Sequence, residues 1–296
     1  MGILSTVQSS FAVQIPLMLV GYVGLLYFNQ DRMVYHPSRY SKPLEEVPDF
    51  DITPFNFQTE LGEQGAYIMR FSESTSVSRI YLAFGGNAMV ARNWIQVLHV
   101  MPKAVVNNTA FVLVDYPGFG ESEGGPSSAA ILQSAKEAVK WALQDLEADL
   151  QEDVQLGAIG HSIGCSVALH LAVEQLAEGA ALQHLVLSAC FTTLTAMAKA
   201  LLPVLKPVPD SWIAALTSRH AWNNLEAAAM LAGDTAPRIS MMHGTSDEIV
   251  PTEMGRQLFE QLKTLSINVT FEDTPAGHND LLSTKEYRAW VKKAFG

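Results

Sequence analysis

A serine between two glycines is the first feature of the sequence that could perform chemistry. Ser162 is the centre of a Gly-His-Ser-Ile-Gly run over residues 160–164, between an apolar strand pattern and a helical pattern. A sharp strand-to-helix turn holds a serine hydroxyl clear of its own backbone, and glycines let the strand and helix approach closely. The helix that follows directs its unpaired N–H groups at any negative charge that develops there. The run predicts a nucleophilic serine, with an ordinary glycine turn as the alternative.

A catalytic serine needs a base, and the base needs an acid to orient it. Asp247 lies in a loop after the apolar strand pattern at 239–242, and His278 lies in a loop after the alternating pattern at 267–271. We expect His278 to take the proton from Ser162 and Asp247 to fix the imidazole tautomer. The order serine, acid, histidine along the chain is that of α/β-hydrolases and of neither major serine protease fold.

Other reactive side chains lie near these motifs, and we assign none of them a primary catalytic role. Glu248 and Asp280 are alternative acids, but they lie beside the expected position. His161 precedes the serine and should point away from it, and His243 is expected to position the loop of the acid. Cys165, in the helix that follows the serine, is predicted to be a small core residue.

The tetrahedral oxyanion of acyl transfer needs two backbone N–H donors. Ile163, immediately after the serine, would supply one of them. The second is expected from the Gly-Gly-Asn-Ala run that follows the strand pattern at 79–84, with Asn87 as the preferred donor and Ala88 as the alternative. One such donor is typically worth about 3–4 kcal/mol of transition-state stabilisation. The loop is therefore nearly as important as a triad residue, unless it is only a glycine hinge.

Four motifs together resemble the α/β-hydrolase superfamily and, more narrowly, the Bem46-like, ABHD-type membrane-associated serine hydrolases. They are the Phe-Gly-Gly-Asn-Ala run at 84–88, the Asp-Tyr-Pro-Gly-Phe-Gly-Glu-Ser-Glu-Gly run at 115–124, the serine motif at 160–164 and His-Gly-Thr-Ser-Asp at 243–247. In that family the oxyanion loop usually has histidine where this chain has Gly85. The resemblance, which extends from about residue 28 to the C-terminus, implies hydrolysis of an ester, thioester or amide of a lipophilic acyl group. It implies no metal and no organic cofactor.

The elements that must position these residues alternate between strand and helix patterns. Such alternation predicts an α/β fold, with a mostly parallel central sheet and helices on both faces. Strand patterns lie near 52–57, 65–71, 80–84, 111–115, 154–159, 185–188, 239–242 and 267–271, the first two as a hairpin. Helical patterns lie at 127–150, 165–176, 254–265 and 284–295.

One connection in this pattern is unusually long. Residues 190–237 separate two strand patterns and are rich in Leu, Met, Pro and Trp. We expect a small helical lid there that provides an acyl-binding surface over the site. The alternative is a helix pair that only completes the domain.

The composition excludes some classes of partner. The chain of 296 residues has a net charge of −11 and no basic stripe, which argues against binding a nucleic acid. Its two cysteines lie in core-like segments, which argues against a disulfide framework. The length suits one large α/β domain. We expect a membrane anchor at 1–30 and a hydrolase domain at 31–296, with the lid insertion at about 190–237.

The N-terminal residues predict that the protein is anchored in a membrane. Residues 11–28 are apolar apart from Gln14, and as a helix they would span about 27 Å, close to the roughly 30 Å of a hydrocarbon core. We interpret them as a retained single-pass anchor, with a cleaved signal peptide or a buried or surface-docked helix as alternatives. Arg32, Arg39 and Lys42 follow the run, which favours a hydrolase domain on the cytoplasmic side.

The sequence thus predicts a membrane-anchored serine hydrolase. It would act on a small-molecule or lipid acyl substrate as a carboxylesterase, lipase or acyl-thioesterase, through an acyl-enzyme at Ser162. A peptidase or amidase on the same triad is the enzymatic alternative, because one fold can carry both reactions. A membrane-tethered scaffold that keeps the fold without catalysis is the third reading.

Overall fold

One mixed sheet forms the centre of the molecule in the computed structural model, which describes residues 30–146, 150–220 and 222–295. Within those ranges its eight strands are β1 (Phe50–Thr59), β2 (Gly62–Phe71), β3 (Val77–Phe84), β4 (Thr109–Val114), β5 (Leu150–His161), β6 (His184–Ser188), β7 (Arg238–Gly244) and β8 (Val269–Thr274). Their order across the sheet is β1-β2-β4-β3-β5-β6-β7-β8. β1 pairs antiparallel with β2, and β2 with β4. The other neighbours are parallel, so the predicted α/β sheet and its leading hairpin are confirmed.

Helices cover both faces of this sheet. In chain order they are α1 (Gln30–Val34), α2 (Ala91–Leu98), α3 (Lys103–Val106), α4 (Ser128–Asp145), α5 (Ile163–Ala177), α6 (Leu194–Leu201), α7 (Asp210–Leu216), α8 (Asn224–Met230), α9 (Thr252–Thr264) and α10 (Lys285–Phe295). Short 3₁₀ turns lie at Pro203–Leu205, Ser218–His220 and Leu281–Ser283. Helices α4, α5, α8 and α9 contribute to one hydrophobic core, and α2, α3 and α10 contribute to the other.

Strand β3 shows why the central strands read as continuous apolar runs. Ile80, Leu82 and Phe84 pack in one core, whereas Tyr81 and Ala83 pack in the other. Successive side chains of a strand point to opposite faces of the sheet. A strand covered by helices on both faces must therefore be apolar at every position.

The last strand begins two residues later than the sequence pattern predicts. Ile267 was expected to open it, but β8 starts at Val269. Ser266 has a φ of 59°, and the Ile267 N–H donates to the Leu262 carbonyl at 3.1 Å. This is a Schellman end of α9, in which the apolar residue after the left-handed one packs back on the helix. Ile267 is therefore buried because it closes a helix.

The long connection between β6 and β7 holds α6, α7, α8 and two of the 3₁₀ turns. Several of its large apolar side chains are exposed, among them Leu201 at 55%, Val204 at 77% and Trp212 at 68%. The predicted anchor at residues 11–28 lies outside the described residues. Among the helices that the structure describes, none combines the length and the apolar character needed to cross a bilayer.

Candidate active site

Ser162 lies at the turn between β5 and α5 with an unusual backbone. Its φ is 56° and its ψ is −119°, a conformation that residues with a Cβ rarely adopt and that stores strain. The Ser162 N–H donates to the Ser188 carbonyl at the end of β6, at 2.9 Å. The turn is thus fixed from the neighbouring strand, and the serine is the last residue before the helix.

The two glycines of the motif are required by the closeness of strand and helix. A Cβ on Gly164 would lie 2.0 Å from the Phe84 carbonyl oxygen, and one on Gly160 would lie 2.5 Å from the Gly164 carbonyl oxygen. Both obstacles are backbone atoms that cannot rotate away. The close approach of strand and helix at the predicted elbow is therefore possible only because both residues are glycines, which have no Cβ.

Asp247 and His278 are joined directly. The Nδ1 atom of His278 lies 2.7 Å from Oδ2 of Asp247, and the carboxylate is fully buried. Its other oxygen accepts from the N–H groups of Ile249 at 2.9 Å and Val250 at 2.7 Å. Burial acts to raise the pKa of Asp247, but hydrogen bonds from His243, His278 and the backbone outweigh it and hold the pKa below its ordinary value. The acid is therefore ionised at neutral pH.

Asp247, rather than its two neighbours, reaches the His278 ring. In the described chain Glu248 accepts a hydrogen bond from the His278 backbone N–H, at 3.4 Å, and not from its ring. Asp280 is an exposed residue. A second imidazole also contacts the acid, because Nε2 of the buried His243 lies 3.3 Å from Oδ2 of Asp247 and 3.0 Å from the Val250 carbonyl. His243 thus contacts the loop and the acid, as expected for a positioning residue.

The imidazole of His278 lies beside the elbow. Its ring centroid is 4.9 Å from that of His161, the residue before Ser162. Within the described chain no hydrogen bond joins the Ser162 hydroxyl to the His278 ring. Catalytic hydrogen bonds are often long in the absence of substrate and shorten when it binds. The structure therefore brings the predicted acid and the predicted base together next to Ser162, without a hydrogen bond between the His278 ring and the Ser162 hydroxyl in the described chain.

His161 does not behave as a second base. Its Nδ1 lies 3.1 Å from Ser188 Oγ, and the residue is buried. Burial, together with repulsion from His278, lowers its pKa from 6.5 to about 3. The ring is neutral at physiological pH and adds no positive charge beside the base. Its packing against His278 is a contact that the sequence did not predict.

Cys165 lies one turn into α5 and is buried below the elbow. Its thiol donates to the Ser188 carbonyl at 3.1 Å. Cys190, just after β6, is also buried, and both thiols are free. Burial raises the pKa of Cys190, so that residue stays a protonated thiol. Both cysteines have the core placement that the sequence predicted.

The Gly85–Ala88 loop passes directly over the serine. A Cβ on Gly86 would lie 3.6 Å from the Ser162 Cβ. In the described part of the chain, the backbone N–H groups of Asn87, Ala88 and Ile163 have no protein acceptor. These are the three predicted oxyanion donors. The Asn87 side chain donates to the Val34 carbonyl at 3.3 Å, on an earlier segment.

Gly85 occupies the position at which the family that this sequence resembles usually has histidine, and it packs closely against Met89. A Cβ there would come within 2.6 Å of the Met89 Cβ. The Gly85 carbonyl accepts from the buried Tyr116 hydroxyl at 2.7 Å. Tyr116 is part of the 115–124 motif, but no sequence pattern indicates that its hydroxyl reaches this loop. The loop is thus held at Gly85 by the Tyr116 hydroxyl and by packing against Met89.

Comparisons with known proteins identify the family of this chain. A family model described as the alpha/beta hydrolase family matches residues 83–290. The protein Bem46 of Schizosaccharomyces pombe is 26% identical, over 77% of this chain and 73% of that protein. The uncharacterized protein YfhR of Salmonella typhi is 24% identical over 62% of this chain, and the chain spans only 59% of its length. The lysophosphatidylserine lipase ABHD12 of Danio rerio is 26% identical, over 50% of this chain and 38% of that protein.

Solved structures show the same fold. An esterase of Pyrococcus furiosus superposes with a TM-score of 0.63 at 17% identity, covering 89% of this chain and 98% of that one. Carboxyl esterase 2 of Tuber melanosporum superposes with a TM-score of 0.66 at 14% identity, covering 88% and 89%. At these identities the likeness establishes the architecture that carries the site.

Proposed function

The chain belongs to the alpha/beta hydrolase family, and from that premise we propose that it is a serine hydrolase that cleaves an ester or thioester of a lipophilic acyl group. The observation that carries the proposal is the 2.7 Å contact between Asp247 and His278 beside the elbow of Ser162. A buried carboxylate bonded to Nδ1 fixes the tautomer in which Nε2 is free to accept a proton.

The proposed reaction assigns one step to each group. Ser162 Oγ attacks the acyl carbonyl while His278 Nε2 takes the hydroxyl proton and Asp247 stabilises the imidazolium. The tetrahedral oxyanion accepts hydrogen bonds from the N–H of Ile163 and from that of Asn87, with Ala88 as the alternative donor. His278 then returns the proton to the leaving alcohol or thiol. Water repeats the sequence on the acyl-enzyme and releases the acid and the free serine.

We place this activity in a hydrolase domain at residues 31–296, attached to a membrane by an N-terminal anchor and facing the cytoplasm. The apolar run at 11–28 and the three basic residues that follow it support the attachment and its direction. The described helices α6 to α8 support a lid at about 190–237.

A labelling experiment tests the nucleophile. A fluorophosphonate probe, which forms a stable adduct only with an activated serine, should label the wild type and fail to label Ser162→Ala. Mass spectrometry should find the adduct on the peptide that contains Ser162, and heat-denatured wild type is the matched control. Equal labelling of Ser162→Ala, or an adduct on another residue, would refute the assignment.

The acyl preference has its own test. The exposed apolar side chains of the lid segment and the likeness to a lysophosphatidylserine lipase support a lipophilic acyl group. Each buried methylene contributes roughly 0.8 kcal/mol, up to about fourfold in kcat/KM. We expect kcat/KM to rise along nitrophenyl esters from C2 to C8. A flat or falling series would remove the argument for a lipophilic substrate.

A further inference from the structure

The segment that follows α1 lies against the oxyanion loop. We call residues 34–40 the strap. The strap has no regular secondary structure after Val34, and most of its side chains are exposed. Val34 and Tyr40 are partly buried, and Tyr35 is fully buried, with 1% of its surface accessible. The sequence patterns assign this segment no role in the site.

Three hydrogen bonds join the strap to the two candidate donors of the loop. The His36 N–H donates to the Asn87 carbonyl at 3.0 Å. The Asn87 side-chain amide donates to the Val34 carbonyl at 3.3 Å. The Ser38 hydroxyl donates to the Ala88 carbonyl at 3.5 Å. Asn87 is thus held at its side chain and at its backbone from outside the site.

These bonds determine where the free N–H groups point. A trans peptide is planar, and its N–H lies opposite its C=O. Because the Asn87 carbonyl accepts from His36, the N–H of Ala88 in the same plane points away from the strap. The Gly86 carbonyl accepts from the Met89 N–H at 3.1 Å, which fixes the N–H of Asn87 in the same way. The strap therefore completes the orientation of the loop's donors.

The strap is itself anchored to the loop after β4. The Gly120 N–H donates to the Ser38 carbonyl at 2.8 Å, and Arg39 donates to the Gly120 carbonyl at 3.2 Å. The Tyr40 hydroxyl donates to the buried Asp115 carboxylate at 2.7 Å. The same carboxylate accepts from the N–H at the start of α2, at 2.8 Å. These hydrogen bonds fix the position of the strap, so that the strap can in turn hold the loop that carries the donors.

Tyr35 connects the strap to the lid segment. Its hydroxyl accepts from Nε1 of Trp222 at 2.9 Å, between residues 187 positions apart. Its ring meets that of His220 edge to face, with centroids 5.1 Å apart. One short segment thus contacts both the oxyanion loop and the part of the lid segment just before α8.

We propose that the strap is a positioning element of the active site. Through His36 it keeps the N–H of Ala88 directed at the oxyanion formed on Ser162, and through Val34 it holds the side chain of Asn87, whose own N–H is set by the bond between Met89 and Gly86. The inference rests on the proposed serine hydrolase function, because only that reaction uses these donors. No strap residue touches the reacting atoms. The strap acts through the loop, and its loss should slow the chemical step more than it weakens substrate binding.

A pair of substitutions at one residue tests this role in the full-length protein. His36→Pro removes the N–H that binds Asn87, whereas His36→Ala keeps it and removes only an exposed side chain. Loss of a whole oxyanion donor costs about 10²–10³ in kcat, so misdirecting one should lower kcat about tenfold or more with KM nearly unchanged. An alkyl boronic acid, whose tetrahedral adduct uses the same donors, should bind more weakly by the same factor as kcat/KM falls.

Asn87→Ala is the second variant, because it breaks the contact with Val34 and keeps every backbone N–H. It should reproduce the loss of kcat and of boronate affinity while its melting temperature stays close to that of the wild type. An unchanged kcat in both variants, or an equal loss in His36→Ala, would overturn the proposal. If the wild type neither hydrolyses esters nor reacts with fluorophosphonate, the proposed function itself is refuted.

Discussion

Ser162, the proposed nucleophile, has a strained backbone. Its φ of 56° exposes the side chain at the turn, and such a conformation typically costs about 1–3 kcal/mol when a Cβ is present. The surrounding contacts hold it there, because its N–H is bonded to β6 and α5 begins at the next residue. Strain of this kind is tolerated where a function requires it. At the residue scale, therefore, stability and catalysis should oppose each other.

The first prediction concerns this strain. The free energy of unfolding of Ser162→Gly should be about 1 kcal/mol higher than that of Ser162→Ala, because glycine adopts a positive φ without the steric penalty of a Cβ. Urea denaturation of both inactive variants measures the difference. Ser162→Ala is the matched control, since it removes the hydroxyl and keeps the Cβ. Equal stabilities would mean that the turn is not strained.

The second prediction concerns the acid. Asp247→Asn should lower kcat about 10³–10⁴-fold, because an amide neither stabilises the imidazolium nor enforces the tautomer of His278. Steady-state ester hydrolysis and the rate of fluorophosphonate labelling should fall together. The control is Asp280→Asn at the exposed neighbouring carboxylate, which should leave both rates unchanged. A large loss at Asp280 with a small one at Asp247 would reverse the assignment.

At the scale of elements, the site depends on how closely β5, α5 and β3 approach one another. Gly160 and Gly164 allow backbone to contact backbone, and the end of β3 then delivers the loop that covers the serine. The strands run parallel, so their carboxyl ends meet at one edge of the sheet, where ligands bind in open α/β sheets. The elements thus place loops from distant parts of the chain around one point.

The third prediction tests this contact. Gly164→Ala should lower the free energy of unfolding by about 2–3 kcal/mol or more, since its Cβ would overlap the Phe84 carbonyl and the backbone has no room to move. Gly125→Ala is the matched control, because no atom lies within 4 Å of a Cβ there. Chemical denaturation of the two variants decides the point. A Gly164→Ala protein as stable as Gly125→Ala would show that strand and helix are farther apart.

At the scale of the whole molecule, the two cores enclose histidines that must stay neutral. His184 bonds to the Tyr81 hydroxyl at 2.7 Å and to Ser240 Oγ at 3.2 Å. Burial, with repulsion from Arg238 and Arg79, lowers its pKa from 6.5 to about 3. His161 has its pKa lowered to about 3 as well. The unfolded chain therefore binds more protons than the folded one over this interval.

The fourth prediction follows from that difference. A folded-state pKa below the unfolded value stabilises the fold at neutral pH, and the stabilisation is lost as pH falls from about 6.5 towards 3. Two such groups reduce the free energy of unfolding by at most about 2.7 kcal/mol per pH unit. Urea midpoints from pH 7 to pH 4 should show the decline, and His184→Gln should reduce its slope. A midpoint that stays constant over this range would contradict the buried neutral state.

Local patterns in the sequence predict much of this molecule. The sequence shows the alternation of strand and helix and the glycines at 160 and 164, because each depends on a few neighbouring residues. The local motifs around Ser162, Asp247 and His278 can be recognised in the same way, and their order is simply their order along the chain. The end of α9 shows the limit of such patterns, since burial alone does not reveal whether Ile267 closes a helix or opens a strand.

The sequence by itself determined the fold class and the residue types that could react. Only the tertiary structure decided which carboxylate reaches His278, that His161 packs against it, and that His36 and Tyr35 contact the 85–88 loop and the 190–237 segment. The partners in these contacts are up to 187 positions apart along the chain. Their meeting depends on how all the strands and helices pack together, and no spacing within one element encodes it.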